Sequence, residues 1–160
     1  MPKGPILIGR SEPLNFIDFA NSVPAKVDTG AYLSAIHCSR AKEIKRAGRK
    51  LLRADLLGHP STKTTYTMEF PEYEKVAVKN SSGVREMRYK VKLHVHFGVH
   101  KHLASFTLAD RTNNLMPVLI GRELLGKRFL VDVSRTNINR LKLRKIYRRA
   151  RAVSHKVVKV

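Results

Sequence analysis

Asp28 sits in the stretch Pro24-Ala25-Lys26-Val27-Asp28-Thr29-Gly30-Ala31, where its residue type and neighbours allow acid–base chemistry. A carboxylate on a glycine-supported turn, delivered by a short apolar strand, can serve as half of a hydrolytic site. Two such carboxylates brought together share one proton and activate a water between them. The chain carries the tripeptide Asp28-Thr29-Gly30 once, so a second carboxylate of this kind has to come from a second copy. The same tripeptide is also ordinary turn chemistry, because Asp bonds its own backbone and Gly supplies positive φ. A second segment shifts the balance. Pro117-Val118-Leu119-Ile120-Gly121-Arg122-Glu123-Leu124-Leu125 is an apolar strand that runs into Gly and then into a short helical pattern.

In retropepsins a strand of this kind ends in Ile-Gly-Arg and packs behind the catalytic loop. The order also agrees: catalytic turn early, long hairpin in the middle, apolar strand and Gly late. The matching stretches are Lys26 to Ala31, Ser34-Ala35-Ile36-His37, Ser81-Ser82-Gly83 with Arg85-Glu86 and Arg88-Tyr89, Leu119-Ile120-Gly121-Arg122, and Phe129-Leu130-Val131-Asp132. On these motifs the chain resembles a bacterial retropepsin-like aspartic peptidase family whose members carry the label ATP-dependent zinc protease. It departs from the family at Tyr32, often Arg there, and at Leu33, usually Thr.

The resemblance implies a mainly β fold: a closed-barrel, half-site acid-protease domain over residues 1–134 with a short C-terminal helix; the basic helical tail over 135–160 lies outside the family pattern. The resemblance also implies a homodimer in which Asp28 is the catalytic carboxylate. Thr29 braces the opposite loop, and Gly30 lets the two loops pass closely. Ala31, Ile120, Gly121 and Arg122 support the site. The hairpin tip Asn80-Ser81-Ser82-Gly83 is a flap over substrate, flanked by Arg85 and Arg88. Relatives are associated with ATP-grasp ligases that add glutamates to proteins, including a ribosomal protein, and trimming of glutamate-rich tails is the implied activity. No cofactor is expected. The label's ATP finds no G-x-x-x-x-G-K-[ST] phosphate loop here.

Composition sets the broader limits. The 160 residues fit one domain, and a hydrophobic share of 42% is enough for a core. No run approaches the ~18 apolar residues of a membrane span. The start, Met1-Pro2-Lys3-Gly4-Pro5, does not read as a secretory signal. A single cysteine, Cys38, cannot form an internal disulfide and reads as a small buried residue. A cytoplasmic location is the expectation. The net charge is +20, and residues 135–160 supply half of it with ten Lys or Arg and no acid. That segment is expected to attract polyanions such as RNA, the ribosome surface or an acidic peptide.

Periodicity places the elements. Strands are expected at Pro5–Gly9, around Leu14–Phe19, at Ala25–Val27 and at Leu33–Cys38. Spacings of three and four from Arg40 to Arg53 favour a helix, although family members are often extended there. Thr64–Phe70 alternates as a strand. Tyr73 to Val99 has hairpin grammar, with Asn80–Gly83 as the turn and Tyr89, Val91, Leu93, Val95 and Phe97 on one face. Leu103–Leu108, Pro117–Ile120 and Phe129–Val133 complete the strands, with a short helix at Glu123–Lys127. Ile138 to Val153 reads as a basic helix.

Two other patterns bear on chemistry. His94, His96, His100 and His102 form H-x-H…H-x-H across a turn, which a zinc site could use, but no Cys or carboxylate reinforces it. Arg85, Arg88 and Lys90 beside the flap are either a solvated sheet face or readers of an acidic substrate. The leading expectation is a homodimeric aspartic peptidase acting on acidic peptides. The alternative is a catalytically silent module of the same fold, attached to RNA or ribosomes by its basic surface.

Overall fold

Alternation of apolar and polar residues recurs along most of this chain, and strands dominate accordingly. The structure, a computed structural model, describes residues 4–98 and 100–139. Among them are eleven strands and one short helix: β1 (Ile6–Gly9), β2 (Ser11–Phe16), β3 (Ala20–Val27), β4 (Ser34–Arg46), β5 (Arg49–Leu57), β6 (Thr65–Phe70), β7 (Glu74–Lys79), β8 (Arg85–Phe97), β9 (His100–Ala109), β10 (Val118–Ile120), α1 (Arg122–Leu125) and β11 (Phe129–Asp132). Six strands close a ring in the order β10, β3, β2, β8, β9, β4, with β4 pairing back onto β10. The barrel is filled by inward residues of period two, among them Val91, Leu93, Val95 and Phe97 of β8, packed with Leu14, Phe16, Ile36, Phe106, Val118 and Ile120. The fold is the closed-barrel, mainly β class expected from the sequence.

The helix expected over Arg40–Arg53 is absent. β4 runs on to Arg46, and β5 returns from Arg49 in register, Ile44 opposite Leu51 and Arg46 opposite Arg49. Ala47 and Gly48 make the turn with φ of 50° and 76°, the positive-φ pair that a two-residue hairpin requires. A helical reading would have buried only Ala41, Ile44, Ala47 and Leu51. The strand instead buries Leu52, Ala54 and Leu56 and pairs β5 with β6. Pairing with distant residues outweighed a weak local period.

The start and end of the described chain meet. β1 pairs in parallel with β11, Ile6 opposite Phe129 through Gly9 opposite Asp132. Beyond β11, Arg10 N–H donates to the Arg135 carbonyl (2.8 Å) and Asn137 N–H to the Ser11 carbonyl (2.9 Å). Glu12 is 1% exposed. Its carboxylate accepts from the backbone N–H of Gly9 (2.8 Å), Ile138 (3.0 Å) and Asn139 (3.1 Å). Three charge-assisted bonds offset the cost of burying that charge. The basic helix expected beyond Ile138 lies almost wholly outside the described residues. No helix among the described residues is long and apolar enough to cross a membrane.

Gly121 joins β10 to α1, where space rather than backbone angle demands glycine. A Cβ there would meet the Tyr32 carbonyl oxygen at 2.6 Å and the Leu33 carbonyl carbon and oxygen at 2.7 Å. These are backbone atoms and cannot rotate away. Gly121→Ala is therefore expected to lower stability by about 1–3 kcal/mol, read as a lower urea midpoint at unchanged denaturant slope.

Candidate active site

β3 delivers Asp28 to the barrel mouth because Val27 pairs with Ile120 of β10. The next backbone group continues the ladder: Asp28 N–H donates to the Ile120 carbonyl (2.9 Å). The Asp28 side chain then caps its own turn, its Oδ1 accepting from Gly30 N–H (2.9 Å). A Cβ on Gly30 would stand 3.2 Å from that oxygen, so the glycine leaves room for the carboxylate. Asp28 is half-buried, while Thr29 and Gly30 are exposed.

The segment after β10 ties the turn down from behind. Arg122 N–H donates to the Ala31 carbonyl (2.8 Å) and Glu123 N–H to the Tyr32 carbonyl (2.9 Å). The Arg122 guanidinium donates to the Thr29 carbonyl (3.1 Å) and lies over the Tyr32 ring, 5.9 Å from its centre. Gly121 N–H donates to Ser34 Oγ (3.0 Å). Asp28, Thr29, Gly30 and Ala31 are thus brought together with Ile120, Gly121 and Arg122.

The flap residues form a separate unit. Asn80 Oδ1 accepts from Ser82 N–H and Val84 N–H, both at 3.0 Å, and Gly83 takes φ 80°. The tip is a self-contained turn between β7 and β8. Among the described residues, no hydrogen bond or ion pair joins Asn80, Ser81, Ser82, Gly83 or Arg85 to the 28–31 turn. Arg88 is ion-paired to Glu86.

Sequence reasoning missed Arg111. It lies in the 110–116 loop and is 8% exposed. Its Nε donates to the Met116 carbonyl (3.2 Å). Burial, then the Arg88 charge, push its pKa down, and Asp28 opposes them. Nothing local marks one basic residue among 32 Lys and Arg as the one that folds inward.

Two buried histidines hold that loop. Arg111 N–H donates to His37 Nδ1 (2.8 Å), which places the His37 proton on Nε2. His59 Nδ1 accepts from Ser61 N–H (3.1 Å), and its Nε2 reaches the carbonyls of Arg111 (3.0 Å) and Asn114 (2.9 Å). Both rings serve as struts that bond the loop backbone. Cys38, next in sequence, is buried, and burial pushes its thiol up to about 11, which leaves it unreactive at neutral pH.

The four clustered histidines do not converge. Across β8 and β9, His94 pairs with Leu103 and His96 with Lys101, while Val95 pairs with His102 and Phe97 with His100. Alternation therefore sends His94 and His96 to one face of the sheet and His100 and His102 to the other. Among the described residues, no three His, Cys, Asp or Glu side chains are grouped to hold a metal. The zinc in the family label has no fitting donor set there.

A model of the retropepsin-like aspartic endopeptidase RimB matches residues 7–142. The chain belongs to the RimB-like family. Curated relatives carry another name. A "probable alpha-L-glutamate ligase" of Shewanella halifaxensis is 31% identical over 116 residues, 71% of this chain and 25% of that protein. One of Desulfotalea psychrophila is 27% identical over 130 residues, 79% of this chain and 28% of the ligase. The chain thus spans about a quarter of the length of the ligases it matches. A solved structure of a Legionella pneumophila protein of unknown function superposes with a TM-score of 0.66 at 27% identity, covering 84% of this chain and 98% of the other.

The His37 strut gives the RimB-like fold a pH dependence. Burial, the largest influence, holds its pKa below 6.5; Asp110 opposes, and His59 and Arg111 add to the lowering. On acidification the unfolded chain takes up this proton first, so the contribution is complete above 6.5 and is lost as pH falls towards the folded value. Urea titrations across that window should show a smaller loss of stability on acidification for His37→Gln than for the unaltered protein. Equal losses would remove His37 from the account.

Proposed function

We propose that this chain is a homodimeric aspartic peptidase in which Asp28 from each of two copies forms the catalytic pair. The observation that supports it most is the Asp28 turn. A half-buried carboxylate is fixed by Gly30 N–H and by the ladder bond to Ile120, at the mouth of a closed barrel. Two such carboxylates across a two-fold axis are too close for both to ionise, so one keeps a proton. The charged one takes a proton from a water lying between them. That water's oxygen attacks the scissile carbonyl carbon while the protonated Asp28 donates to the carbonyl oxygen. Collapse of the resulting gem-diol protonates the leaving nitrogen and returns the pair to its starting state. Thr29 and Gly30 then lie at the contact between copies, and Asn80–Gly83 closes over the substrate.

The substrate in this reading is an acidic peptide rich in glutamate. Three observations support it. The net charge is +20. Arg111 keeps its cation buried, where burial, then the Arg88 charge, push its pKa down and the Asp28 charge opposes that. Segments similar to this chain occur within longer proteins named as glutamate ligases.

Asp28→Asn should abolish peptide cleavage while leaving the fold and its urea midpoint close to unchanged. Mixed in equal amounts and allowed to exchange, the two forms should retain about a quarter of the activity of an all-active sample, because only pairs of active copies work. Retention of half would mean that each copy acts alone.

Cleavage of a glutamate-containing peptide should exceed that of its glutamine counterpart, with the advantage shrinking as salt rises. Replacing Arg88 by Ala and Arg111 by Gln together should cut that preference at least about tenfold, the scale of a lost charge-assisted contact. Equal rates for the two peptides in the unaltered protein at low salt would remove the acidic substrate and leave the peptidase assignment in place.

A further inference from the structure

The β4–β5 hairpin that replaced the expected helix creates a surface that no catalytic role uses. In its register Arg40 stands opposite Asp55, Lys42 opposite Arg53, Ile44 opposite Leu51, and Arg46 opposite Arg49. Directly paired residues share a face. One face of the hairpin therefore carries Arg40, Lys42 and Arg46 in one column and Arg49 and Arg53 in the next, all five exposed. Beside them, β6 contributes Glu69 opposite Arg53 and Thr67 opposite Asp55. Asp55 and Glu69 are the acids on this face, and each has a cation already: Arg40 Nε lies 3.3 Å from Asp55, and Arg46 Nη1 lies 2.6 Å from Glu69. Lys42, Arg49 and Arg53 have no carboxylate within 4.0 Å among the described residues. A shallow groove of about 270 Å³ runs between Arg40, Lys42, Ile44, Arg53 and Asp55.

The opposite face of the hairpin is covered over its inner part, with Lys45 and Lys50 exposed near the turn. Glu43 lies 3.4 Å from Lys75 of β7 and 3.7 Å from Lys50, and Leu52 and Ala54 enter the core. The basic face is thus presented outward by a ribbon anchored from behind.

We propose that this face binds the phosphate backbone of a nucleic-acid duplex. Charge density favours a duplex over an acidic peptide. A column of alternate strand residues repeats every ~6.7 Å, and a second column stands ~5 Å away. An extended acidic peptide offers one row of carboxylates at that repeat and meets one column. A duplex carries a phosphate charge for every ~1.7 Å of its axis, enough for both columns along the ~20 Å from Arg40 to Arg46. Of the three cations without a carboxylate partner, Arg49 and Arg53 are arginines, whose planar fork grips phosphate oxygens in pairs. The face has no aromatic residue to stack on unpaired bases, which single-strand binders use. Backbone contact without stacking or base-edge readers makes the binding independent of sequence.

The test uses the full chain and does not depend on the peptidase reading. Lys42→Gln, Arg49→Gln and Arg53→Gln are combined in one protein. Lys26→Gln, Lys79→Gln and Lys101→Gln, exposed elsewhere, make a control with the same charge. Fluorescence anisotropy follows binding to an RNA duplex, a DNA duplex of the same sequence, a single-stranded RNA and a poly-glutamate peptide across a salt series. On the DNA duplex the hairpin variant should lose about 2.7 from the slope of log affinity against log salt, at ~0.9 per phosphate contact. The control should lose much less, and the RNA duplex should show the same ranking. A hairpin variant that matches the control on both duplexes overturns the proposal. So does one that weakens poly-glutamate binding while sparing the duplexes, which would make this face a dock for acidic protein.

Discussion

The rest of this structure depends on the pairing of β10, three residues long, with strands on both sides. Val118 to Ile120 runs parallel to Ala25–Val27 and antiparallel to Ala35–Ile36. That pairing closes the barrel, so the sheet has no open edge at this point. A strand this short has little propensity of its own. It is held because Val118 and Ile120 are fully buried and its backbone groups bond to both neighbours. The same ladder, extended by one bond, fixes Asp28 through the Ile120 carbonyl. Barrel closure and placement of the candidate carboxylate are therefore one event.

Irregular segments around the barrel are held by a different device, buried polar side chains that bond to backbone. Glu12 takes three N–H groups and anchors the segment beyond β11. His37 and His59 hold the loop that carries Arg111. Ser34 Oγ receives the N–H of Gly121. Each of these side chains bonds at least one chain segment distant in sequence, so each adds a tie between parts of the fold to those the strand ladders make. Burial would penalise every one of them if its partner moved away, which makes the loops near Asp28 part of the cooperative unit.

Charge is distributed by the same architecture. Strand pairing turns a one-dimensional sequence into columns, and residues with no special spacing become neighbours across a ribbon. The five cations of the β4–β5 face come from two strands that run in opposite directions. The four histidines illustrate the converse. Their sequence pattern looks like convergence, yet the alternation of β8 and β9 separates them onto opposite faces.

The sequence by itself determined the candidate turn and its support. Asp28-Thr29-Gly30 and Ile120-Gly121-Arg122 were legible because each is short, local and constrained by chemistry: a turn carboxylate, a glycine without room for a side chain, and an apolar strand before it. The long hairpin was legible for the same reason, since Asn80–Gly83 and the alternation after Tyr89 specify themselves. The stretch from Arg40 to Arg53 was not, because its apolar residues fit a helical period, while the apolar partners that made it a strand lie in β6 and in the barrel core. Arg111 was invisible because burial of a cation is decided by what surrounds it, here His37, His59 and Met116, contributed from three separate parts of the chain. Local chemistry writes turns and strands into sequence. Convergence of side chains from different strands is a property of closure, and only the tertiary structure decides it.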